Sequence, residues 1–376
     1  MNFVPRALIA EVTHRCPLRC VYCSNPTEMR SRSTELTTEE WQRVFSEAAA
    51  LGVLQLHLTG GEPLARPDTE QLVRSGRAAG LYVNLITSGI GLAEARLESL
   101  VKAGLDHIQL SFQDSEQSQA DQIAGTKAHA AKLELASRIR KHRIAFTMNI
   151  VVHRQNLARL PAMIALAEEL EVGKLEVANV QYYGWAFENS AKLLPTREQV
   201  QETIAIVDAA RERLKDRMRI DCVLPDYYAR YPKPCMGGWG QGLILIDPAG
   251  VALPCHAARI IPGLTFDDVR SKPLGWIWEE SPSFQRFRGD DWMQEPCRSC
   301  ERKTRDFGGC RCQAFLYTGD AEATDPVCSL SPQRGLIEAV IENVATAEQA
   351  KWVYRINPSN QNSEFRRQKS EVRSVD

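Results

Sequence analysis

Apolar and polar positions recur with two periods through the first 215 residues. Short runs of β-branched, aromatic and alternating character predict strands over Ala7–Thr13, Leu54–Leu58, Tyr82–Thr87, His107–Phe112, Ala145–Val152 and Leu175–Val180. Amphipathic stretches between them predict helices over Thr38–Leu51, Asp68–Ala79, Leu92–Ala103, Ala130–His142 and Leu157–Glu171, and Thr196–Leu214 follows the sixth strand. Thr37-Thr38-Glu39-Glu40 reads as a helix start, with a hydroxyl cap and acids in the first turn. Six βα units imply a parallel sheet with helices outside, either an open doubly wound sheet or a partial barrel. In such folds the loops at the C-terminal strand ends carry the chemistry. No G-x-G-x-x-G follows the first strand; a cysteine loop stands there instead.

Bulk composition narrows the function classes. The chain has 376 residues, enough for one large domain or two, and its 46 Lys and Arg against 47 Asp and Glu give a net charge of −1. That balance supplies no general field for nucleic acid or an anionic membrane, so neither is expected as a partner. Met1 to Val12 does not read as a signal peptide, and no window approaches the ~20 apolar residues that span a bilayer. A cytoplasmic setting with reduced thiols is the expectation. Residues 351–376 are polar, basic and without periodicity, which predicts a mobile tail; Glu364, Glu371 and Asp376 interrupt it as a nucleic-acid arm.

Eleven cysteines, an odd number, suit a disulfide framework poorly. Cys16, Cys20 and Cys23 stand as C-x3-C-x2-C just past the first strand; no other cysteine occurs until Cys222, and eight fall from there to Cys328. A cysteine-free middle followed by a dense region suggests a first unit with an apolar core and a second held by metal. Three thiolates leave one iron of a cubane cluster without a protein ligand, and an open coordination position is where metal chemistry occurs. A structural zinc site would need a fourth ligand, for which His14 is the near candidate. After the second strand comes Leu58-Thr59-Gly60-Gly61-Glu62-Pro63, whose paired glycines let backbone approach a ligand and whose proline stiffens the exit.

These two loops resemble those of the radical S-adenosylmethionine (SAM) enzymes: Cys16, Cys20, Tyr22 and Cys23 match the cluster loop, and Gly60, Gly61, Glu62 and Pro63 the G-G-E-P motif. The resemblance implies a partial (β/α)6 barrel and a [4Fe–4S] cluster whose open iron is chelated by the amino and carboxylate groups of SAM. It implies reductive cleavage to methionine and a 5′-deoxyadenosyl radical that abstracts hydrogen from an unactivated C–H bond. Thr87 and Ser88 at the end of strand three and Ser111 near the end of strand four fall on the rim where the family holds SAM; as strand-end hydroxyls they also suit loop capping.

The C-terminal cysteines resemble the SPASM extension, which binds two auxiliary iron–sulfur clusters. Its array appears as Cys235, Gly250-x4-Cys255, Cys297-x2-Cys300, Asp306, Cys310, Cys312 and Cys328, with aspartate where the family pattern has cysteine. The resemblance implies one cluster on Cys297, Cys300, Asp306 and Cys328 and another on Cys235, Cys255, Cys310 and Cys312. A carboxylate is anionic and compatible with iron; the alternative for Asp306 is a solvated surface group. Cys222 is left over as a small apolar residue.

From Phe3 to about Leu330 the chain is similar to the radical SAM enzymes of pyrroloquinoline quinone (PQQ) biosynthesis. That implies a carbon–carbon cross-link between a glutamate and a tyrosine of a ribosomal (PqqA-like) precursor peptide, a small peptide-binding (PqqD-like) chaperone and an external electron donor. The expected division is a radical SAM barrel over 1–217, a SPASM domain over 218–340 and a flexible tail over 341–376. The rivals are another SPASM maturase, forming thioethers or oxidising a side chain, and a zinc-stapled interaction module without enzymatic activity. Tyr182, Tyr183, Gly184 and Trp185 follow strand six and suit either a peptide channel or packing. His107 and His153 have no assigned role, and no catalytic residue is assigned.

Overall fold

The structure, a computed structural model, describes residues 3–344 and 351–357. Strands β1 (Ala7–Thr13), β2 (Gln55–Gly60), β3 (Tyr82–Thr87), β4 (His107–Phe112), β5 (Ala145–Val152), β6 (Lys174–Asn179) and β7 (Arg219–Val223) lie side by side in sequence order, all parallel. Helices α1 (Thr38–Ala50), α2 (Thr69–Ala78), α3 (Glu94–Lys102), α4 (Gln117–Ala124), α5 (His129–Lys141) and α6 (Leu160–Glu169) connect the first six. The short turns α7 (Trp185–Glu188) and α8 (Ser190–Leu193) and the long α9 (Arg197–Leu214) lead to β7. The predicted bounds of strands one, three, four and five are those of β1, β3, β4 and β5.

The sheet runs past the boundary expected at residue 217. Besides β7, the strand β8 (Leu243–Ile246) pairs in parallel with β1, and β9 (Ala252–Leu253) closes that edge antiparallel. The nine strands are ordered β7-β6-β5-β4-β3-β2-β1-β8-β9, and β7 and β9 are not paired, so the barrel is partial. The extension continues through α10 (Leu274–Glu280), α11 (Pro282–Gln285), α12 (Lys303–Asp306), α13 (Arg311–Thr318) and α14 (Arg334–Asn343).

Strand alternation sorts the two faces. Leu8, Ala10 and Val12, Leu56 and Leu58, Ile108, Leu110 and Phe112, Met148, Ile150 and Val152, and Leu175 and Val177 all point to the helices and form one core with them. Each contributes about 1–3 kcal/mol of burial. The opposite face presents Ile9, Thr59, Ile86, Gln109, Ser111, Asn149, Glu176 and Ala178 to a cavity of about 460 Å³. A parallel sheet with one apolar face and one largely polar face is built to hold something inside.

Local signals fix the helix starts. Thr37 and Glu40 form a reciprocal capping box at α1, as its sequence predicts, and Thr196 and Gln199 do the same at α9. A second core, around Trp239, Leu245, Leu253 and Phe287, contains Cys235, Cys255 and Cys312.

The tail expected from residue 341 does not describe all of that segment. Residue 343 ends α14, and residues 351–357 lie against the body of the protein, with Val353, Arg355 and Ile356 buried. The run Trp352-Val353-Tyr354-Arg355-Ile356 is apolar or aromatic at four of five positions, a local signal that the polar average over 351–376 hides. The rest of the expected tail, 345–350 and 358–376, lies outside the described residues.

Candidate active site

The first cysteine loop leaves β1 and is pinned from two sides. Its backbone bonds α4 through Arg19 N–H to Ala124 O (2.8 Å) and Val21 N–H to Ile123 O (3.2 Å). From β2, Gly61 N–H donates to Thr13 O (2.6 Å) and Glu62 N–H to Arg15 O (2.8 Å). Both glycines are required there: a Cβ on Gly60, whose φ is +135°, would stand 2.2 Å from Thr13 O, and one on Gly61 2.4 Å from Arg15 O.

Glu62 is buried, and its carboxylate is fully engaged within the protein. It accepts from Leu64 N–H (3.0 Å), the Thr87 hydroxyl (2.6 Å), and both Ser88 N–H (2.7 Å) and the Ser88 hydroxyl. Of the eight residues expected at the SAM site, Tyr22, Gly60, Gly61, Thr87, Ser88 and Ser111 line the central cavity together with Cys16, Cys20 and Cys23. Glu62 and Pro63 are not among its lining residues. The carboxylate acts behind the wall, tying the end of β3 to the glycine loop, and Pro63 opens the short helical turn that follows.

The three cysteines suit a cluster. Burial pushes the Cys16 thiol up to about 12 and Cys20 up to about 11, and raises Cys23. Such thiols give up their protons only to a bound cation. His14 does not supply a fourth zinc ligand: its Nδ1 accepts from Arg30 N–H at 2.9 Å and its Nε2 faces Glu11 Oε2 at 3.4 Å. Glu11 also meets His256 Nδ1 at 2.8 Å, and these two histidines hold its carboxyl well below the usual range despite its burial.

Tyr22 is fixed by a chain of buried polar groups. Gln113 Nε2 donates to its hydroxyl (2.9 Å), and Lys132 Nζ, from α5, donates to Gln113 Oε1 (2.6 Å) and Ser111 O (2.8 Å). Burial pulls the Lys132 ammonium down to about 8. Gln113 and Lys132 were missed in the sequence because a glutamine after a strand and a lysine in an amphipathic helix carry no local signal. The same holds for Gln109, Asn149 and Glu176 on the inner face; Gln109 Nε2 donates to Glu176 Oε2 at 3.1 Å.

The extension gathers its cysteines in two places. Cys255 and Cys312 approach to 3.7 Å between sulfurs. Cys310 interacts with both Cys235 and Cys312, and hydrogen bonds from these two thiols hold Cys310 well below the usual thiol range. Cys297, Cys300, Asp306 and Cys328 line a separate pocket with Gly308 and Thr324. Asp306 is buried, accepting from Arg302 Nε (3.2 Å) and Gly308 N–H (3.2 Å), so it is not a solvated surface carboxylate. Asp325, also unanticipated, holds Cys310 in place by accepting its N–H at 2.8 Å; burial raises its carboxyl to about 7. None of the eleven cysteines is paired in a disulfide, and Cys222 is half-buried on β7, apart from both groups. Among the described residues no three His, Cys, Asp or Glu side chains converge on a single-ion site. A cubane takes each thiolate on a different iron and needs no such convergence.

Met236 and His256, the neighbours of Cys235 and Cys255, line the same cavity as Cys16, Cys20 and Cys23. The cavity thus runs from the first cysteine loop to the extension. Tyr182, Tyr183 and Trp185 are buried in packing and are not among its lining residues, whereas Gln181 is.

Comparison with known proteins agrees with this arrangement. The sequence model of the Radical SAM superfamily matches residues 10–167, and that of the SPASM iron–sulfur cluster-binding domain matches residues 235–301. A PqqA peptide cyclase of Methylobacterium nodulans is 55% identical over 347 residues, 92% of this chain and 90% of its own. One of Gluconobacter oxydans is 55% identical over 340 residues, 90% of this chain and 94% of its own. The chain belongs to the PqqA peptide cyclase family. Like that family it is a radical SAM enzyme, with a [4Fe–4S] cluster and SAM in its core and auxiliary iron–sulfur clusters in its SPASM extension. The fold is shared with Streptococcus suis SuiB bound to SAM, at a TM-score of 0.73 and 19% identity over 87% of this chain and 78% of that one. SuiB bound to its precursor peptide SuiA superimposes equally well, at 0.73 and 18% identity over 88% and 77%. No helix among the described residues is long and apolar enough to cross a membrane.

Proposed function

We propose that this family member joins a glutamate side-chain carbon to a tyrosine ring carbon within a ribosomal precursor peptide, in PQQ biosynthesis. The observation that carries the reading is one cavity bounded by Cys16, Cys20 and Cys23 at one end and by Met236 and His256, beside two extension cysteines, at the other. When bound, the first cluster and SAM supply a radical that abstracts hydrogen.

The chain's own residues do the rest. Gly60 and Gly61 keep that wall thin enough for a ligand to lie against backbone, and Thr87, Ser88 and Ser111 offer hydroxyls along the rim. Gln109, Asn149, Glu176 and Gln181 offer donors and acceptors to the peptide backbone inside the barrel. The cross-link forms with net loss of two hydrogens: one leaves as a hydrogen atom, the other as a proton and an electron. A site that must take up that electron benefits from acceptors close by, and the cysteines next to Met236 and His256 would hold one.

In this reading Cys16, Cys20 and Cys23 ligate the SAM-binding cluster, Cys235, Cys255, Cys310 and Cys312 a first auxiliary cluster, and Cys297, Cys300, Asp306 and Cys328 a second. Residues 1–217 serve as the radical-generating unit and 218–340 as the auxiliary-cluster unit. A small peptide-binding chaperone delivers the precursor, an external donor supplies electrons, and the cytoplasm keeps the thiols reduced.

The test is incubation of the anaerobically reconstituted, reduced protein with SAM, chaperone and a precursor peptide carrying Glu-x3-Tyr. A product lighter by two hydrogens with Glu and Tyr linked supports the reading. SAM cleavage without that product points instead to another peptide modification, such as thioether formation.

A further inference from the structure

We propose that Arg355, from the C-terminal strap 351–357, is a positioning residue for the SAM-binding cluster: it locks the cysteine loop in place and sets a fixed positive charge against its thiolates. The inference rests on the reading of Cys16, Cys20 and Cys23 as cluster ligands.

The strap is built into the site. Asn189 anchors it as a backbone partner would, with Nδ2 donating to Val353 O (2.7 Å) and Oδ1 accepting from Val353 N–H (3.0 Å). Val353 and Ile356 pack with Met29 and Trp185, against which Cys23 also lies. Arg19 Nε donates to Arg355 O at 3.2 Å. Asn357 Oδ1 accepts from Cys16 N–H at 3.1 Å, so the strap touches the backbone of the first ligand directly.

Arg355 is 1% exposed, far below what an unpaired arginine tolerates. Its Nη2 donates to His14 O and faces Met29 Sδ, while Nη1 reaches Leu18 O (3.5 Å) and Asn357 Oδ1 (3.2 Å). One guanidinium therefore spans the loop on both sides of Cys16. Its Nε is buried without a hydrogen-bond partner among the described residues, and the side chain lines the central cavity. Among the described residues, no carboxylate is one of its hydrogen-bond partners. Cys16, Cys20 and Cys23 line the same cavity as this side chain, and as cluster ligands they would be thiolates. Its guanidinium is a cation.

The consequence is electrostatic as well as mechanical. Each electron added to a cluster places one more negative charge at the same distance from the guanidinium. In a buried site that attraction is weakly screened, so the cation favours the reduced state. The strap would thus ease the loading of an electron onto the cluster.

The test is a spectroscopically monitored redox titration of full-length, anaerobically reconstituted Arg355→Gln and Arg355→Lys. The cluster in question is identified as the signal that shifts on adding SAM and is missing in Cys16→Ala. For Arg355→Gln at full iron content, we expect the ratio of reduced to oxidised cluster at a fixed ambient potential to fall about tenfold, or 59 mV for a one-electron couple. Arg355→Lys should stay close to the parent. Loss of this cluster's iron in Arg355→Gln but not in Arg355→Lys also supports a role for the charge. An unchanged potential in Arg355→Gln, or equal loss of iron in both variants, overturns the proposal in favour of packing alone. A parent protein with no SAM-responsive signal overturns the cluster reading itself, and this inference with it.

Discussion

Ser88 gives both its backbone N–H and its hydroxyl to the same carboxylate oxygen of Glu62, across 26 positions of sequence. With the Thr87 hydroxyl on the other oxygen, Glu62 sets where β3 ends relative to the glycine loop. Glu62→Gln keeps the shape but replaces one acceptor oxygen with an amide that donates toward groups that themselves donate. Leaving buried donors unpaired costs about 1–3 kcal/mol each. We expect SAM affinity, measured by equilibrium binding to the reconstituted protein, to fall at least roughly tenfold, equivalent to about 1.4 kcal/mol. Iron content should change little, because Glu62 is not a ligand. Unaltered SAM binding would show that the rim does not depend on this carboxylate.

Gly61 touches the first cysteine loop from the other side. A methyl group there would sit 2.4 Å from Arg15 O and 2.6 Å from His14 O, so backbone on one side or the other must move. Overpacking of this kind costs on the order of 1–3 kcal/mol. Gly61→Ala should lose the first cluster, about four iron atoms per chain, while the auxiliary centres keep their iron. Iron analysis together with low-temperature spin resonance separates the two. Full iron with a normal SAM-responsive signal would contradict the close approach.

Much of the barrel was legible because its outward face is so regularly apolar. His107–Phe112 and Ala145–Val152 alternate so cleanly that their ends coincide with the observed strands. The cysteine and glycine loops were legible because their spacing is chemical rather than conformational. What remained hidden depends on contacts distant in sequence. Leu243–Ile246 is only four apolar residues, and nothing local says that it pairs with Ala7–Ala10 more than 230 positions earlier. Gln109, Asn149 and Glu176 read as the polar positions of half-buried strands; only closure of the sheet turns that face into a cavity wall. Trp352, Val353, Tyr354 and Ile356 form a short apolar run inside an otherwise polar segment, and the buried Arg355 among them makes sense only once the carbonyls of His14 and Leu18 are known to face it.

Asp306 shares its pocket with Cys297, Cys300 and Cys328, and it stands where the sequence pattern calls for a thiolate. If it is a ligand, Asp306→Ala should lower auxiliary iron while leaving the SAM-responsive signal intact. Asp306→Cys should retain iron but change the spectrum and potential of one auxiliary centre, since ligand type tunes both. Spectra and potentials identical to the parent in both variants would put Asp306 outside the cluster, bonded only to Arg302 and Gly308.

His153 sets a pH dependence of stability. It is fully buried, its Nε2 has no hydrogen-bond partner among the described residues, and its ring packs on Tyr22 at 5.8 Å between centroids. Burial lowers its imidazolium pKa to about 3, from an ordinary value near 6.5. Between those values the unfolded chain binds a proton that the folded chain does not. Stability is therefore fully present above about pH 6.5 and falls as the solution is acidified, at about 1.4 kcal/mol per pH unit. A His153→Gln variant removes that proton site from the unfolded chain. The difference in urea midpoint between parent and variant, measured anaerobically on the loaded protein, should then shrink steadily from pH 6.5 to pH 5. The opposite trend, with the parent gaining on the variant in acid, would mean that the imidazole is protonated in the folded state and has an anionic partner.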